Sequence, residues 1–307
     1  MVRVTSVGLC GSDLHWYEDG SIGTSDLERP LVLGHEIVGV IEDGPRTGER
    51  VVVDPADPCA TCRLCRSGRP ELCPTVRFAG HAPDDGGLRE LMLWPSHLLL
   101  AVPDTVTRRG AAALEALAVA LHAIELAGLS GDAARTRVAV VGTGPIGLLV
   151  VAGLRALGVE DVVATDRLPH RVERARELGA RAGWLADALP PDAEADVAIE
   201  CAGTDEAVDA AIALAAPGGR VVLAGIPGDD ATTFRASMAR RKGLTLAMCR
   251  RSAPRHLRAA VDLAARGAVD LDAVVSDVVP LRDAPGAFAS LAERRGHKIV
   301  IATGSAA

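Results

Sequence analysis

Aromatic side chains make up only 2% of this 307-residue chain, so its interior has to be filled by Ala, Val, Leu and Ile, drawn from a hydrophobic fraction of 49%. Basic residues are outnumbered as well: 33 Lys and Arg face 40 Asp and Glu, a formal charge of −7. That balance argues against a general nucleic-acid role, because duplex binding rests on neutralising phosphates with Lys and Arg. No run of 18 apolar residues lacks charge, so no membrane-spanning helix is expected. Met1-Val2-Arg3-Val4-Thr5 has neither the basic n-region nor the apolar h-region of a secretory signal, and the expected location is cytoplasmic. Internal repeats and low-complexity linkers are missing too. The length suits two domains.

What is there begins with cysteine. The chain has seven: Cys10, Cys59, Cys62, Cys65, Cys73, Cys201 and Cys249. An odd count, with four packed into fifteen residues and no export signal, does not suit a disulfide framework; in a reducing cytosol such a cluster binds metal. Cys59, Cys62, Cys65 and Cys73 are spaced C-x2-C-x2-C-x7-C. Four thiolates in tetrahedral array suit Zn²⁺, and the short spacings let one loop wrap the ion. An iron–sulfur cluster is the chemical rival. A closed four-Cys site leaves no open position for substrate, so its role is structural.

The chain falls into three stretches. Residues 1–113 are rich in Gly, Pro and Asp with short apolar runs such as Glu36–Ile41 and Arg50–Val53, a β-rich pattern of short strands and turns. From 114 the style changes. Apolar runs at Arg137–Val141, Asp161–Thr165, Ala195–Glu200, Gly219–Ala224 and Leu244–Ala247 alternate with helical stretches Ile146–Leu157, His170–Leu178 and Glu206–Leu214. This alternation predicts βαβ units and a parallel sheet covered on both faces. The expected division is 1–113, 114–252 and 253–307. The boundary near Glu115 reads as a helix shared by two domains. The last stretch opens with a helical run, Pro254–Arg266, and ends in a strand, Lys298–Ala302, before a small polar tail.

A second constellation lies near the start. Cys10 opens Cys10-Gly11-Ser12-Asp13-Leu14-His15, and Gly34-His35-Glu36 follows. A catalytic zinc needs about three protein ligands of mixed N, S and O type and one open position. Cys10, His35 and Glu36 supply that mixture, although a lone His-Glu pair or a lone cysteine is ordinarily a surface or core feature. Asp13 is placed to accept from the distal nitrogen of His35. Ser12 carries a hydroxyl suited to take an alcohol proton, and His15 can pass a proton to solvent or be a plain surface histidine. Glu115 is a lone acid in a strongly apolar stretch; a buried carboxylate needs a partner or a metal, and the alternative is a charge favoured at a helix N-terminus.

The run Arg137–Val141 leads straight into Gly142-Thr143-Gly144-Pro145-Ile146-Gly147 and then a helical Leu/Val/Ala pattern. This is G-x-G-x-x-G in the context that gives it meaning, from strand to tight turn to helix. The glycines permit the turn and let a pyrophosphate approach the helix N-terminus. The next strand ends at Asp166, where a carboxylate accepts from the adenosine ribose and repels a 2′-phosphate, so NAD is favoured over NADP. Arg167 and Arg171 stand close by and pull the other way; Arg171 either stacks on the adenine or lies on a solvated helix face. Val221–Ile226 ends a strand at the carboxyl edge of the sheet, where Gly225 and Ile226 are placed to meet the nicotinamide half.

Taken together, these residues resemble the zinc-containing medium-chain dehydrogenase/reductase superfamily over nearly the whole chain. Cys10–His15, Gly20–Gly23, Pro30–Glu36, Pro83–Gly87 and Glu115–Val119 resemble its sorbitol (L-iditol) and xylitol dehydrogenase branch. The resemblance implies an α/β protein: a GroES-like β-rich catalytic domain, completed by the C-terminal segment, around an inserted Rossmann domain. It implies that Cys10, His35 and Glu36 hold a catalytic zinc and that Glu115 is a further ligand or holds the zinc-bound water. Cys59, Cys62, Cys65 and Cys73 match a structural-zinc lobe, and Ile146, Asp166 and Arg171 match NAD contacts. The expected activity is hydride transfer between NAD and a secondary alcohol of a polyol, sugar or cyclitol, in a homodimer or homotetramer. The rivals are a threonine or simple alcohol dehydrogenase, and a non-catalytic nucleotide-binding relative. Two departures stand out. Members of the family carry strands ahead of the segment that begins here, with Met1–Val7 resembling the strand just before the zinc cysteine, so an opened barrel is expected. The arginine–aromatic pair of sorbitol dehydrogenases is replaced by Met248-Cys249-Arg250-Arg251.

Overall fold

β-Branched residues dominate positions 2–8, 36–41 and 50–53, and they build the first sheet by fitting a pleated, half-buried surface. A computed structural model describes residues 1–23, 25–129, 133–190, 193–228 and 231–304; the end of the polar tail, 305–307, lies outside the described residues. Two compact units emerge, Met1–Ala118 with Ser252–Ala307, and Val119–Arg251.

In the first unit a seven-stranded sheet runs in the order Val275–Pro280, Lys298–Ala302, Val2–Gly8, Glu36–Ile41, Arg50–Val53 and Leu99–Ala101, with Leu91–Met92 also pairing with Val2–Gly8. Every pairing is antiparallel except Val275–Pro280 with Lys298–Ala302. Among the described residues, Val275–Pro280 and Leu99–Ala101 stand at the two ends of this sheet's strand order. Val2, Val4, Val7, Ile37, Ile41, Val51 and Val53 form its core, each burial stabilising by about 1.5–3 kcal/mol. Two of the few aromatics pair: Tyr17 stacks on the buried Phe288, with centroids 4.6 Å apart.

The second unit holds a parallel six-stranded sheet in the order Ala182–Leu185, Val162–Asp166, Val138–Val141, Ala195–Glu200, Ala215–Leu223, Thr245–Met248. Numbered along the chain, this is 3-2-1-4-5-6, the doubly wound order of dinucleotide-binding domains. The chain reverses direction of travel between Val138–Val141 and Ala195–Glu200, which places the glycine loop at the switch point. Helices Pro145–Ala156, Pro169–Glu177 and Asp205–Leu214 fall where the apolar periodicity puts them, one residue earlier at the N-terminus. The strand expected over 219–224 starts earlier, at Ala215, running through Pro217-Gly218-Gly219 with a register shift opposite Ala195 and Val197. The turn residues are real, but the ladder on Ala195–Glu200 extends past them. Helix Gly11–Glu18, strand Ala182–Leu185 and helix Ala236–Lys242 have no counterpart in the sequence reading.

Candidate active site and dinucleotide loop

Three strand ends converge in the first unit. Gly8 ends its strand and faces Glu36 on one side and Val300 on the other, while Lys298 lies two residues before Val300 on the same face. Cys10 follows immediately as the N-cap of helix Gly11–Glu18. The Sγ of Cys10, a ring nitrogen of His35 and a carboxylate oxygen of Glu36 lie within 4.8 Å of one another. Asp13 ties the first two together. Its Oδ2 accepts from the Cys10 amide at 3.0 Å, its Oδ1 from the Gly34 amide at 3.0 Å, and His35 Nδ1 stands 3.4 Å from Oδ1. With Nδ1 committed to Asp13, Nε2 is the nitrogen left for a metal. Burial alone would raise the Asp13 carboxyl, but the charge and hydrogen bond of His35 and the two amides hold it below the usual range. Burial alone would lower His35, yet Asp13 and then Cys10 hold it well above its ordinary value.

The donor set fits zinc on an observation independent of spacing. Glu36 is buried, its Oε1 takes the Lys298 ammonium at 2.6 Å, and its Oε2 is a buried oxygen with no hydrogen-bond partner. A cation beside Oε2 resolves that orphan. Glu115 stands outside this circle of donors. It is buried at the start of helix Leu114–Ala127, and its carboxyl is pushed up to about 7, first by burial and then by Glu36 and Asp54, against His35 and Lys298. Glu115 thus feels the charges of His35, Glu36 and Lys298 from beside the donor set, where a further ligand or a holder of the zinc-bound water would stand.

Ser12 and His15 are half-buried on helix Gly11–Glu18, whose Asp13 and Trp16 are buried. His15 Nδ1 lies 3.1 Å from Asp19 Oδ2 at the exposed end. Nearby in the chain, Asp54 is buried and its carboxyl is pushed up from the usual 3.8 to about 6, by burial first, with the Ala56 amide, Arg258 and His97 opposing and Asp57 adding. A raised folded value means the contribution to stability is full below pH 3.8 and lost as pH rises through about 6. Asp54→Asn keeps the acceptor for the Ala56 amide. It is expected to match the wild type near pH 4 and exceed it by up to roughly 3 kcal/mol above pH 7 in urea melts; a gap that does not grow with pH would refute this.

The four-cysteine lobe assembles around the short helix Arg63–Arg66. Cys59, Cys62, Cys65 and Cys73 place their sulfurs within 4.8 Å of one another. Amides of Cys59, Cys62 and Cys65 each point at a neighbouring sulfur at 3.4 Å. The Thr61 amide and hydroxyl and the Cys62 amide draw Cys59 down to about 5, whereas loss of water and the Cys62 and Cys73 thiols push Cys65 up to about 12. Thiols so opposed cannot all ionise without a cation among them, which is the chemistry of a structural zinc held by four thiolates.

In the second unit, Gly142 sits at φ 87°, and a Cβ there would meet Ala202 at 2.7 Å. A Cβ on Gly147 would lie 1.9 Å from the Gly142 carbonyl, so only glycine lets the helix start this close to the strand. Gly144 is open except for Nη1 of Arg171, 3.5 Å from where its Cβ would be, and Pro145 and Ile146 open helix Pro145–Ala156. The cradle that a pyrophosphate needs is present. Asp166 is fixed beside it: Oδ2 accepts from the Thr143 amide at 2.7 Å and Oδ1 from the Leu168 amide at 2.9 Å. Arg167 is exposed. Gly225 has a packing reason within the protein as well. A Cβ there would lie 2.1 Å from the Gly203 amide and 2.7 Å from Glu200 Oε2, so its bareness serves a neighbouring turn; Ile226 beside it is 47% exposed.

That neighbour exposes a residue the sequence reading missed. Glu200, buried at the carboxyl end of Ala195–Glu200, accepts from the Ala202 and Gly203 amides, each at 2.6 Å, and so ties down the turn next to the glycine loop. Burial raises its carboxyl against those amides. An acid closing an apolar strand just before Cys201-Ala202-Gly203 was the available signal. Lys298 was missed as well. Around Met248–Arg251, the Arg251 carbonyl accepts from His122 Nδ1 at 2.7 Å, and Met248 is 70% exposed.

Comparison with known proteins follows the same division. Residues 1–104 match the alcohol dehydrogenase GroES-like domain, and residues 145–266 match the zinc-binding dehydrogenase family. Sorbitol dehydrogenase 1 of Saccharomyces cerevisiae is 34% identical over 308 aligned positions, covering 94% of this chain and 85% of that protein. The crystal structure of L-idonate 5-dehydrogenase from Escherichia coli superimposes with a TM-score of 0.91 at 27% identity, covering 98% of this chain and 90% of that one. A short chain alcohol dehydrogenase of E. coli CFT073, solved with NADH, gives a TM-score of 0.88 at 26% identity, covering 98% and 91%.

Proposed function

Because this chain belongs to the zinc-containing medium-chain dehydrogenase superfamily, on the sorbitol dehydrogenase branch, we propose that it interconverts a secondary alcohol of a polyol, sugar or cyclitol and the matching ketone, with NAD as hydride carrier. The observation that supports it most is the Cys10, His35 and Glu36 donor set, together with the buried, unpartnered Oε2 of Glu36. When bound, zinc supplies Lewis-acid polarisation of the substrate oxygen, and NAD accepts the hydride. The residues of the chain do the rest. Cys10, His35 and Glu36 would hold the ion, and Asp13 orients two of the three. The Ser12 hydroxyl takes the alcohol proton, and His15, three residues on along one helix face, passes it towards solvent past Asp19. Gly142, Gly144, Pro145, Ile146 and Gly147 cradle the pyrophosphate, and Asp166 accepts from the ribose. Cys59, Cys62, Cys65 and Cys73 hold a second zinc as a structural brace.

We assign residues 1–113 and 253–307 to the catalytic part and 114–252 to cofactor binding. Seven free cysteines suit a reducing, cytoplasmic location. No helix among the described residues is long and apolar enough to cross a membrane. A homo-oligomer is favoured by the open edge strand Thr245–Met248 at the end of the six-stranded sheet.

A panel of polyols, threonine and simple alcohols, followed by nicotinamide absorbance with NAD and NADP side by side, tests the reading. Fastest turnover on a polyol with NAD is expected. Preference for threonine or a primary alcohol would move the chain elsewhere in the superfamily, and no turnover by protein carrying both zincs would overturn the proposal. His15→Gln is expected to slow oxidation about tenfold, with added imidazole restoring much of the rate; an unchanged rate would remove His15 from the proton path.

A further inference from the structure

Lys298 is an ammonium carried into the interior. Its side chain is 1% exposed and that of Glu36 is 0% exposed. Nζ donates to Glu36 Oε1 at 2.6 Å and to the Leu9 carbonyl at 3.0 Å. The partner is 262 residues away in sequence. Below the other oxygen lies Gly8, where a Cβ would come within 2.0 Å of Oε2. The carboxylate is thus clamped, with one oxygen on the ammonium and the other lodged over a bare Cα without a hydrogen-bond partner, beside the Cys10 and His35 donors that a carboxylate oxygen of Glu36 meets within 4.8 Å. A buried ion pair is seldom worth more to the fold than apolar residues of equal volume, so stability alone is a poor reason for this one. Its effect is on what Glu36 can offer.

We propose that Lys298 is a positioning residue for the metal site: by holding Oε1 of Glu36 it leaves only Oε2 for the ion, and it competes with the ion for that carboxylate. This rests on the reading of Cys10, His35 and Glu36 as a metal site. The consequence is a site that binds through one carboxylate oxygen and releases more readily than its donors alone would. Removing the ammonium frees Oε1 and takes away a positive charge beside the cation, so the ion should be held more tightly. A lysine that merely filled and neutralised the interior would show the reverse, since its loss would loosen the site.

Zinc transfer to a chromophoric chelator reads this directly. The fully loaded wild type should release zinc in two phases, and Cys10→Ala identifies which phase belongs to this site by abolishing it. In Lys298→Met that phase is expected to slow by about tenfold or more, with the four-cysteine phase unchanged. The cobalt-substituted variant should show weaker visible absorption as a further oxygen joins the coordination. A phase that is faster or unmoved overturns the proposal. A wild type with no second phase overturns the metal-site reading itself, and the two failures are thereby distinguished. Should Lys298→Met not fold, the wild type still decides. Lys242 and Lys298 are the chain's two lysines, so ¹⁵N-lysine labelling gives two side-chain signals. The slow-exchanging one should move on zinc loading, and a signal that stays in place overturns the proposal.

Discussion

Cys10→Ala is expected to cut turnover by about a thousandfold or more, lower zinc from about two ions per chain to about one, and leave NAD affinity unchanged. Lewis-acid stabilisation is worth several kcal/mol, and each 1.36 kcal/mol is a factor of ten in rate. Cys10 contributes the sulfur of the donor set and caps helix Gly11–Glu18 through its backbone, which alanine preserves. The Asp13 carboxylate keeps the amide of residue 10, so His35 stays oriented. The dinucleotide loop lies in a separate unit and should bind NAD as before. Metal analysis, steady-state rates and fluorescence titration with NADH check the three parts. Turnover persisting with one zinc per chain would sink the catalytic role; joint loss of NAD binding and turnover would mean misfolding, which circular dichroism detects.

The second large effect concerns the cofactor. Asp166→Ser is expected to lower the ratio of kcat/KM for NAD over NADP by about a hundredfold. Hydrogen bonds to a charged group are worth about 1.5–3 kcal/mol each, and the ribose loses them. The carboxylate cannot turn away from a 2′-phosphate, because the Thr143 and Leu168 amides hold both its oxygens. Once it is gone, exposed Arg167 and the nearby Arg171 face the phosphate with no acid between them. Parallel kinetics with both cofactors decide the matter, and a wild type that already prefers NADP would defeat the premise.

What the sequence disclosed about this site follows from how far apart the cooperating residues are. The cysteine lobe is legible because four ligands fall within fifteen residues, and the glycine loop because strand, turn and helix are contiguous. Asp166 was reachable because one βαβ unit has a fixed length. Cys10 and His35 needed the resemblance, since neither is specific alone. Lys298 was invisible: it opens an apolar strand, and nothing local shows that it turns inward to a carboxylate 262 residues earlier. Glu200 left a fainter trace, an acid closing an apolar strand, because its partners are backbone amides two and three residues on. Helix Gly11–Glu18 escaped because two turns hold only one i, i+3 apolar pair, Leu14 and Tyr17; Asp13 and Trp16 are its buried residues. The close approach of Gly225 to Gly203 was out of reach because it joins two different turns.

The strand Lys298–Ala302 pairs with Val2–Gly8, so segments far apart in the sequence are joined in one sheet. During synthesis at about 5–20 residues per second, roughly 13–50 seconds separate Glu36 from Lys298. The cofactor-binding unit has its full length before Ser252 is added. Throughout that interval Cys10, His35 and Glu36 exist on the nascent chain without their sheet neighbour and without the ammonium that restrains Glu36. The strand Lys298–Ala302 therefore acts as a clock as well as a wall: a metal ion encountered before it is made meets an unrestrained, half-built site, and one encountered afterwards meets the finished one.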